Sequence, residues 1–243
     1  MKIKNLSLLI FAAWGAYANA ASIDYRQGYR TGVEKYESRM LLSNDWANGI
    51  GGSIEYTIDN SSTNDAGIDQ ARWKDTEFQL YYKYKLSDAL TITPLFLYDT
   101  AKDVGDGTRN DTFKPGIQAN WTFAPGWRLD GRVRYEKKTW TKKNLHGQQD
   151  DDSTVRTDAW LRKTFNDTTD AYYNVRWDRK LNDFHYDDGG KDYFEHNFGV
   201  GYKFTKEVKA YTEIGYLGEV KDPSNTKLLK DDWRVRVGVS YSF

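Results

Sequence analysis

The sequence predicts an all-β protein: a transmembrane antiparallel β-barrel of twelve strands, with short turns at one end and longer loops at the other. Three observations carry this expectation. Apolar and polar residues alternate in a dozen separate runs, the period of a strand with two unlike faces. The chain is polar, with a mean hydropathy of −0.81 and 39% hydrophobic residues, yet it holds 9 Trp, 18 Tyr and 11 Phe. That balance suits a fold that is apolar outside and polar inside. The connections between runs also alternate between tight and long, as they do in outer-membrane barrels.

The amino terminus comes first in the argument. Lys2 and Lys4 precede a short apolar stretch from Leu6 to Trp14, and Ala18-Asn19-Ala20 supplies a small-x-small cleavage pattern. Residues 1–20 are therefore expected to be a secretory signal peptide, and residues 21–243 a single barrel. Cleavage after Ala20 would leave 223 residues with a net charge of −2. With 0 Cys, neither a disulfide framework nor a thiol site is available.

The strands then follow in order. Ile23, Tyr25 and Tyr29 alternate with Asp24, Arg26 and Arg30; Tyr36, Met40 and Leu42 alternate with Glu37, Arg39 and Ser43. Ile54, Tyr56 and Ile58 oppose Ser53, Glu55 and Thr57, and Phe78, Leu80, Tyr82 and Tyr84 oppose Glu77, Gln79, Lys83 and Lys85. Leu90, Ile92, Phe96 and Tyr98 mark a fifth strand, and Phe113, Ile117, Trp121 and Phe123 a sixth that carries Lys114 on its other face. Trp127, Leu129, Val133 and Tyr135 point away from Arg128, Asp130, Arg132, Arg134 and Glu136. Val155, Ala159 and Leu161 oppose Arg156, Asp158 and Arg162; Tyr173, Val175 and Trp177 oppose Asn174, Arg176, Asp178 and Lys180. Phe194, Phe198, Val200 and Tyr202 oppose Glu195, Asn197 and Lys203, while Val208, Ala210, Ile214 and Tyr216 oppose Lys209, Tyr211, Glu213 and Glu219. The chain ends on Trp233, Val235, Val237, Val239, Tyr241 and Phe243, alternating with Arg234, Arg236, Gly238, Ser240 and Ser242.

Even-to-odd joins are tight, as at Ser87 to Ala89 and Ala124 to Gly126. Odd-to-even joins are long and polar, from Asn60 to Ala71, Ala101 to Asn110, Thr141 to Asp152, Phe184 to Lys191 and Lys221 to Lys230; only Thr31 to Lys35 is short. Strands of about 9–11 residues match a tilted crossing of the apolar layer, and a closed ring leaves no unpaired edge in lipid. Trp121, Phe123 and Trp127 cluster at one turn, and Tyr202, Phe204 and Tyr211 at another, as an interfacial girdle would. A secreted β-sandwich is the soluble rival, but the polar phase is too large and too charged for the solvent face of a few strands. The terminal Phe243 is expected to be read by the outer-membrane assembly machinery, and the apolar phase to face outer-membrane lipid.

The polar phase holds seventeen basic and thirteen acidic residues, although the whole chain has a formal net charge of 0. Many of these should pair, such as Asp130 between Arg128 and Arg132, or Asp158 between Arg156 and Arg162. The surplus is positive and rich in Arg, whose planar fork holds carboxylates bidentately, and basic ladders select anions in pores. The pore-lining candidates are Arg26, Arg30, Arg39, Lys114, Arg132, Arg134, Arg156, Arg176, Arg234 and Arg236. Arg132 and Arg134 on strand seven are expected to face Arg26, Arg234 and Arg236 across the lumen. Two other classes stand beside this one: a barrel enzyme of lipase or protease type, and a structural or adhesive barrel with a closed lumen. For catalysis the chain offers His146 and His185 in loops and His196 in the lipid-facing phase, with no serine two residues away. The acidic runs Asp150 to Asp152 and His185 to Gly190 lack the spacing of a known cation loop. No cofactor, metal or nucleic acid is expected.

"SIDYRQGYRTG", "YESRMLLSNDWANG" and "RVRVGVSYSF", with "GRVRYEKKTW" and "VKAYTEIGY" in strands seven and eleven, resemble the oligogalacturonate-specific (KdgM-type) porins, a family that includes a porin for N-acetylneuraminate. The resemblance covers essentially the whole chain after residue 20. It implies a monomeric twelve-stranded outer-membrane barrel that passes acidic oligosaccharides between facing tracks of basic residues. By matching motif it implies pore roles for Arg26, Arg30, Arg39, Arg132, Arg134 and Arg236, and for Arg234 in part. The loops match poorly.

Overall fold

The computed structural model describes residues 20–46, 48–60, 71–102, 108–140, 151–222 and 225–243. The expected signal segment therefore lies outside the described residues except for Ala20, which already belongs to the first strand. The strands are β1 (Ala20–Arg30), β2 (Lys35–Asp45), β3 (Ile50–Asp59), β4 (Arg72–Tyr82, resumed at Tyr84–Lys85), β5 (Leu90–Lys102) and β6 (Arg109–Ala124). The second half consists of β7 (Trp127–Trp140), β8 (Asp152–Thr164), β9 (Thr169–Lys180), β10 (Asp192–Lys203), β11 (Val208–Asp222) and β12 (Asn225–Ser242). Each strand pairs antiparallel with its chain neighbours, and β1 closes the ring on β12 from Ser22↔Ser242 to Arg30↔Arg234. The twelve-stranded barrel is thus as expected.

Burial is inverted relative to a soluble domain. Among the described residues only Leu95, Leu97, Leu217 and Val220 are buried apolar side chains, whereas twenty-one polar or charged residues are buried. Ile23, Phe78, Phe96, Ile117, Val133, Phe198 and Val237 are exposed on the outer face, where lipid takes the place of a core. Ring contacts mark the rim: Trp121 lies 5.4 Å from Phe123, and Tyr241 lies 4.9 Å from Phe243. Tyr211 is not part of that girdle, because its hydroxyl donates to Asp24 at 2.8 Å inside the barrel.

Several strands exceed the expected length, β12 reaching 18 residues and β11 15. The expected long loop from Lys221 to Lys230 is mostly ladder: β11 and β12 stay paired to Asp222↔Asn225, so the hairpin projects beyond the apolar layer. A bulge between Tyr216 and Glu219 lets this happen, with Gly218 at φ 77°, a left-handed conformation that glycine adopts without a Cβ clash. The extra residue inverts the phase. Glu219, expected in the lumen, is exposed outside, while Val220 turns inward. A second bulge, opposite Thr57 and Ile58, leaves Lys74 unpaired in the ladder and swings it inward to pair with Glu37.

Candidate lumenal site

The polar phase of the strands converges on one continuous lumen. A central cavity of about 690 Å³ shares lining residues with a smaller one at each end. The end bounded by the short turns, taken as periplasmic, opens through about 330 Å³ near Gly126, Arg128, Lys203 and Lys209. The loop end opens through a vestibule of about 290 Å³ near Arg30, Lys74 and Tyr186. All ten predicted basic residues line this path, Arg30 in the vestibule and the other nine in the central cavity.

Charge is unevenly placed along the axis. The vestibule is lined by seven basic and two acidic side chains, and the periplasmic mouth by four and one. The central cavity is closer to balance, with eleven and nine. There the imbalance lies across the pore. Strands β7 to β12 contribute eight bases and four acids, whereas β3 to β5 contribute Glu55, Asp75, Glu77 and Asp99 and no base. The predicted ladders on β7 and on β12 with β1 do line one cavity, and Arg156 on β8 and Arg176 on β9 extend the β7 ladder. The arrangement is an arc of cations facing an acidic sector.

Pairing inside the arc follows cross-strand register. Arg132 donates to Asp158 at 2.8 Å and Arg156 sits 3.3 Å from the same carboxylate. Asp130 takes Arg128 at 2.8 Å and Arg162 at 2.6 Å. The expected partners are thus exchanged: Arg132 belongs to Asp158, and Arg162 to Asp130. Register explains this, because Arg132 lies directly opposite Asp158, and Arg162 opposite Arg128, one diagonal step from Asp130. Glu195 serves Arg176 and Arg234, and Glu213 serves Arg234 and Arg236. Among the described residues Arg134 has one carboxylate partner, Glu136 at 2.9 Å. Arg26 and Arg39 share Glu55 at 2.8 and 3.0 Å. Lys114 reverses the ratio, held between Glu77 at 2.6 Å and Asp99 at 3.0 Å. The buried Nε–H groups of Arg26, Arg134, Arg156 and Arg234 have no hydrogen-bond acceptor among the described residues, and buried acceptors such as Asp99 Oδ1 have no donor there.

Aromatic side chains also occupy the polar phase, where residue type alone gave no reason to look for them. Trp160 faces inward with Arg132 and Arg162 at 5.1 and 5.8 Å from its ring. Tyr81, Tyr172 and Tyr211 lie directly opposite Gly51, Gly199 and Gly238 on neighbouring strands. A Cβ at any of these glycines would collide with the facing ring. The glycines therefore let each tyrosine lie flat on the wall, a pairing known to rescue glycine in sheets. The tyrosine hydroxyls donate to Asp45, Glu213 and Asp24.

The other predicted features are placed as follows. His196 lies in the outer phase, its Nδ1 2.8 Å from the Tyr173 hydroxyl. His146 and Asp150 fall outside the described residues. Asp151 pairs with Lys137 at 2.7 Å and Asp152 with Lys180. In the His185 to Gly190 run, Asp188 accepts the Gly190 amide at 2.8 Å and Asp187 accepts that of Lys221 at 3.3 Å.

Comparison with known proteins agrees with this geometry. The N-acetylneuraminic acid outer membrane channel protein NanC of Escherichia coli K12 is 28% identical over 241 residues, covering 99% of this chain and 98% of that protein. The oligogalacturonate-specific porin KdgM of Dickeya dadantii is 29% identical over 259 residues, with both chains covered in full. Among solved structures, the NanC porin superposes with a TM-score of 0.74 at 25% identity, over 90% of this chain and 98% of that one. The KdgM porin in complex with disordered oligogalacturonate gives 0.61 at 22% identity, over 91% and 99%, a likeness of fold. The family model for oligogalacturonate-specific porin proteins (KdgM) matches residues 14–243, and the chain belongs to that family of outer-membrane porins.

Proposed function

We propose that the chain conducts acidic oligosaccharides of uronate or sialate type by passive diffusion. The observation that carries this reading is the arc from β7 to β12, which lines the central cavity with eight cations and four carboxylates, with net basic linings at both mouths. An anion entering from either end meets positive potential first, and guanidinium forks then replace its hydration in steps. Because nearly every Arg already leans on a carboxylate, each contact is weak and reversible, which suits conduction better than a single tight site. The ten basic residues hold the sugar's carboxylates in passing, Lys114 least because two acids already hold it. Hydroxyls of the same sugar donate to Asp24, Glu55 and Asp75 across the pore.

The known names support this reading by analogy: one relative is a channel for N-acetylneuraminic acid and another an oligogalacturonate-specific porin. The chain acts as a monomer in outer-membrane lipid, without catalysis, after removal of residues 1–20. The strand ending at Phe243, whose amide donates to the Ala21 carbonyl at 2.9 Å, is what the assembly machinery engages. The decisive experiment is planar-bilayer recording in a KCl gradient. The reversal potential should favour chloride, less so as salt rises, and sodium trigalacturonate should interrupt the current far more than neutral maltotriose. A cation preference, or equal effects of the two sugars, overturns the proposal.

A further inference from the structure

The loop joining β9 to β10, residues 181–191, belongs to no strand and folds over the pore mouth. Four contacts fix it. Phe184 stacks on Trp140 with centroids 5.3 Å apart, the Leu181 amide donates to the Ser153 carbonyl at 2.8 Å, and Asp187 binds the Lys221 amide. The Tyr186 amide closes a turn onto the Gly190 carbonyl at 2.9 Å, with Gly189 at φ 80°. The consequence is that Tyr186 lines the vestibule. Its ring lies 5.3 Å from that of Tyr193, Lys180 lies 5.1 Å from the Tyr186 ring, and Arg176 lies 5.4 Å from the Tyr193 ring. A lysine, two tyrosines and an arginine thus form one stacked column between the loop and the wall.

We propose that this vestibule is a binding site for a single carboxylate-bearing pyranose residue, with Tyr186 as its specificity-determining contact. The proposal rests on the porin reading above and deepens it. Three features fit together. The space, about 290 Å³, is at the small end of ligand pockets. Arg30 and Lys74 keep 33% and 37% of their side chains exposed, more than the other vestibule cations, so beyond their pairs with Asp232 and Glu37 they are the cations most accessible to a carboxylate. The carboxylate behind Arg30, Asp232, is completely buried and unable to compete for the ligand from the lumen side. With its faces taken by Tyr193 and Lys180, the Tyr186 ring offers an apolar edge to the C–H groups of a sugar while the fork and ammonium take its carboxylate. Inorganic anions gain only the second contact. The site therefore separates sugar acids from simple anions, which charge alone does not do.

The test uses the full chain in planar bilayers, with sodium digalacturonate as blocker and sodium sulfate as a ringless anion. Y186A should weaken digalacturonate block about tenfold, equivalent to about 1.4 kcal/mol, without lowering chloride conductance. Block by sulfate should stay within about twofold, and Y186F, which keeps the ring, should behave as the parent protein. If the parent protein is blocked by digalacturonate and Y186A is blocked equally, the Tyr186 site is wrong and the porin reading stands. A matching loss of sulfate block would also overturn the site, since the effect would then be electrostatic or due to loop displacement. If the parent protein is blocked by neither anion, both proposals fall.

Discussion

The two walls of the lumen use the same chemistry in opposite ratios. From β7 to β12, five arginines share four carboxylates in a chain: Arg132 and Arg156 on Asp158, Arg156 and Arg176 on Asp178, Arg176 and Arg234 on Glu195, Arg234 and Arg236 on Glu213. On the β4–β6 side, two carboxylates share one cation, Glu77 and Asp99 on Lys114. The near-neutral chain thus separates charge across its pore. Shared carboxylates brace the arginines against one another while leaving each partly uncompensated. A one-to-one lattice of pairs would have been as stable and would have presented far less field to a passing ion.

The comparison breaks most severely at the shared carboxylates themselves. Asp158 is 2% exposed and holds two guanidinium groups, so Asp158→Ala should lower stability by about 2–3 kcal/mol, allowing for water in the lumen. Loss of the heat-modifiable band at a lower temperature would measure this. Arg236→Ser should cost under about 1 kcal/mol, because Glu213 keeps Arg234 and the Tyr172 hydroxyl. If both variants melt alike, the carboxylates are not the brace.

Selectivity comes next. Changing Arg132, Arg134 and Arg236 together to Ser should reduce the chloride-to-potassium permeability ratio roughly three- to tenfold while the barrel still folds. Unchanged selectivity in a folded triple variant would remove the arc from the mechanism. Of the three, Arg134 is the one expected to cost stability, since Glu136 loses its one ion-pair partner among the described residues.

The acidic wall gives a smaller, opposite effect. Glu77→Gln with Asp99→Asn frees Lys114, and the anion preference should rise roughly twofold. No change would mean that permeating ions keep to the arginine side. The smallest effect is expected outside the membrane, at the turn where Lys85 pairs with Asp88 at 2.7 Å and holds its carboxyl below the usual range. A depressed carboxyl stabilises above its unfolded pKa of about 3.9, and that contribution is lost as pH falls through the lower folded value. Because the group is fully exposed, Asp88→Asn should leave melting at pH 4 and pH 7 unchanged; a measurable shift would show that turn charges matter more than lumenal ones.

The sequence by itself determined which face of each strand meets lipid, because a period of two leaves no other way to bury Tyr25, Phe96, Val133 or Val237 while keeping Arg26, Arg132 and Arg236 wet. It also determined strand number and closure, since lipid tolerates no open edge. Tertiary structure decided what a period cannot encode. Lys74 enters the lumen and Glu219 leaves it because bulges insert single residues that reset the phase. Trp160 and Tyr172 fall in the polar phase of their strands, but only register sets Trp160 beside Asp130 and Tyr172 against Gly199. The partners of Asp130 and Asp158 were exchanged for the same reason: residues two apart on one strand compete with residues across the ladder, and only the ladder's alignment fixes the distances. The acidic sector became visible only once β4 and β5 were set in the ring across from the arginines, and the fold of residues 181–191 rests on contacts to β7, β8 and β11 that have no local signature. Alternation is a property of neighbours along the chain, whereas a field across a pore belongs to residues brought together by closing the sheet.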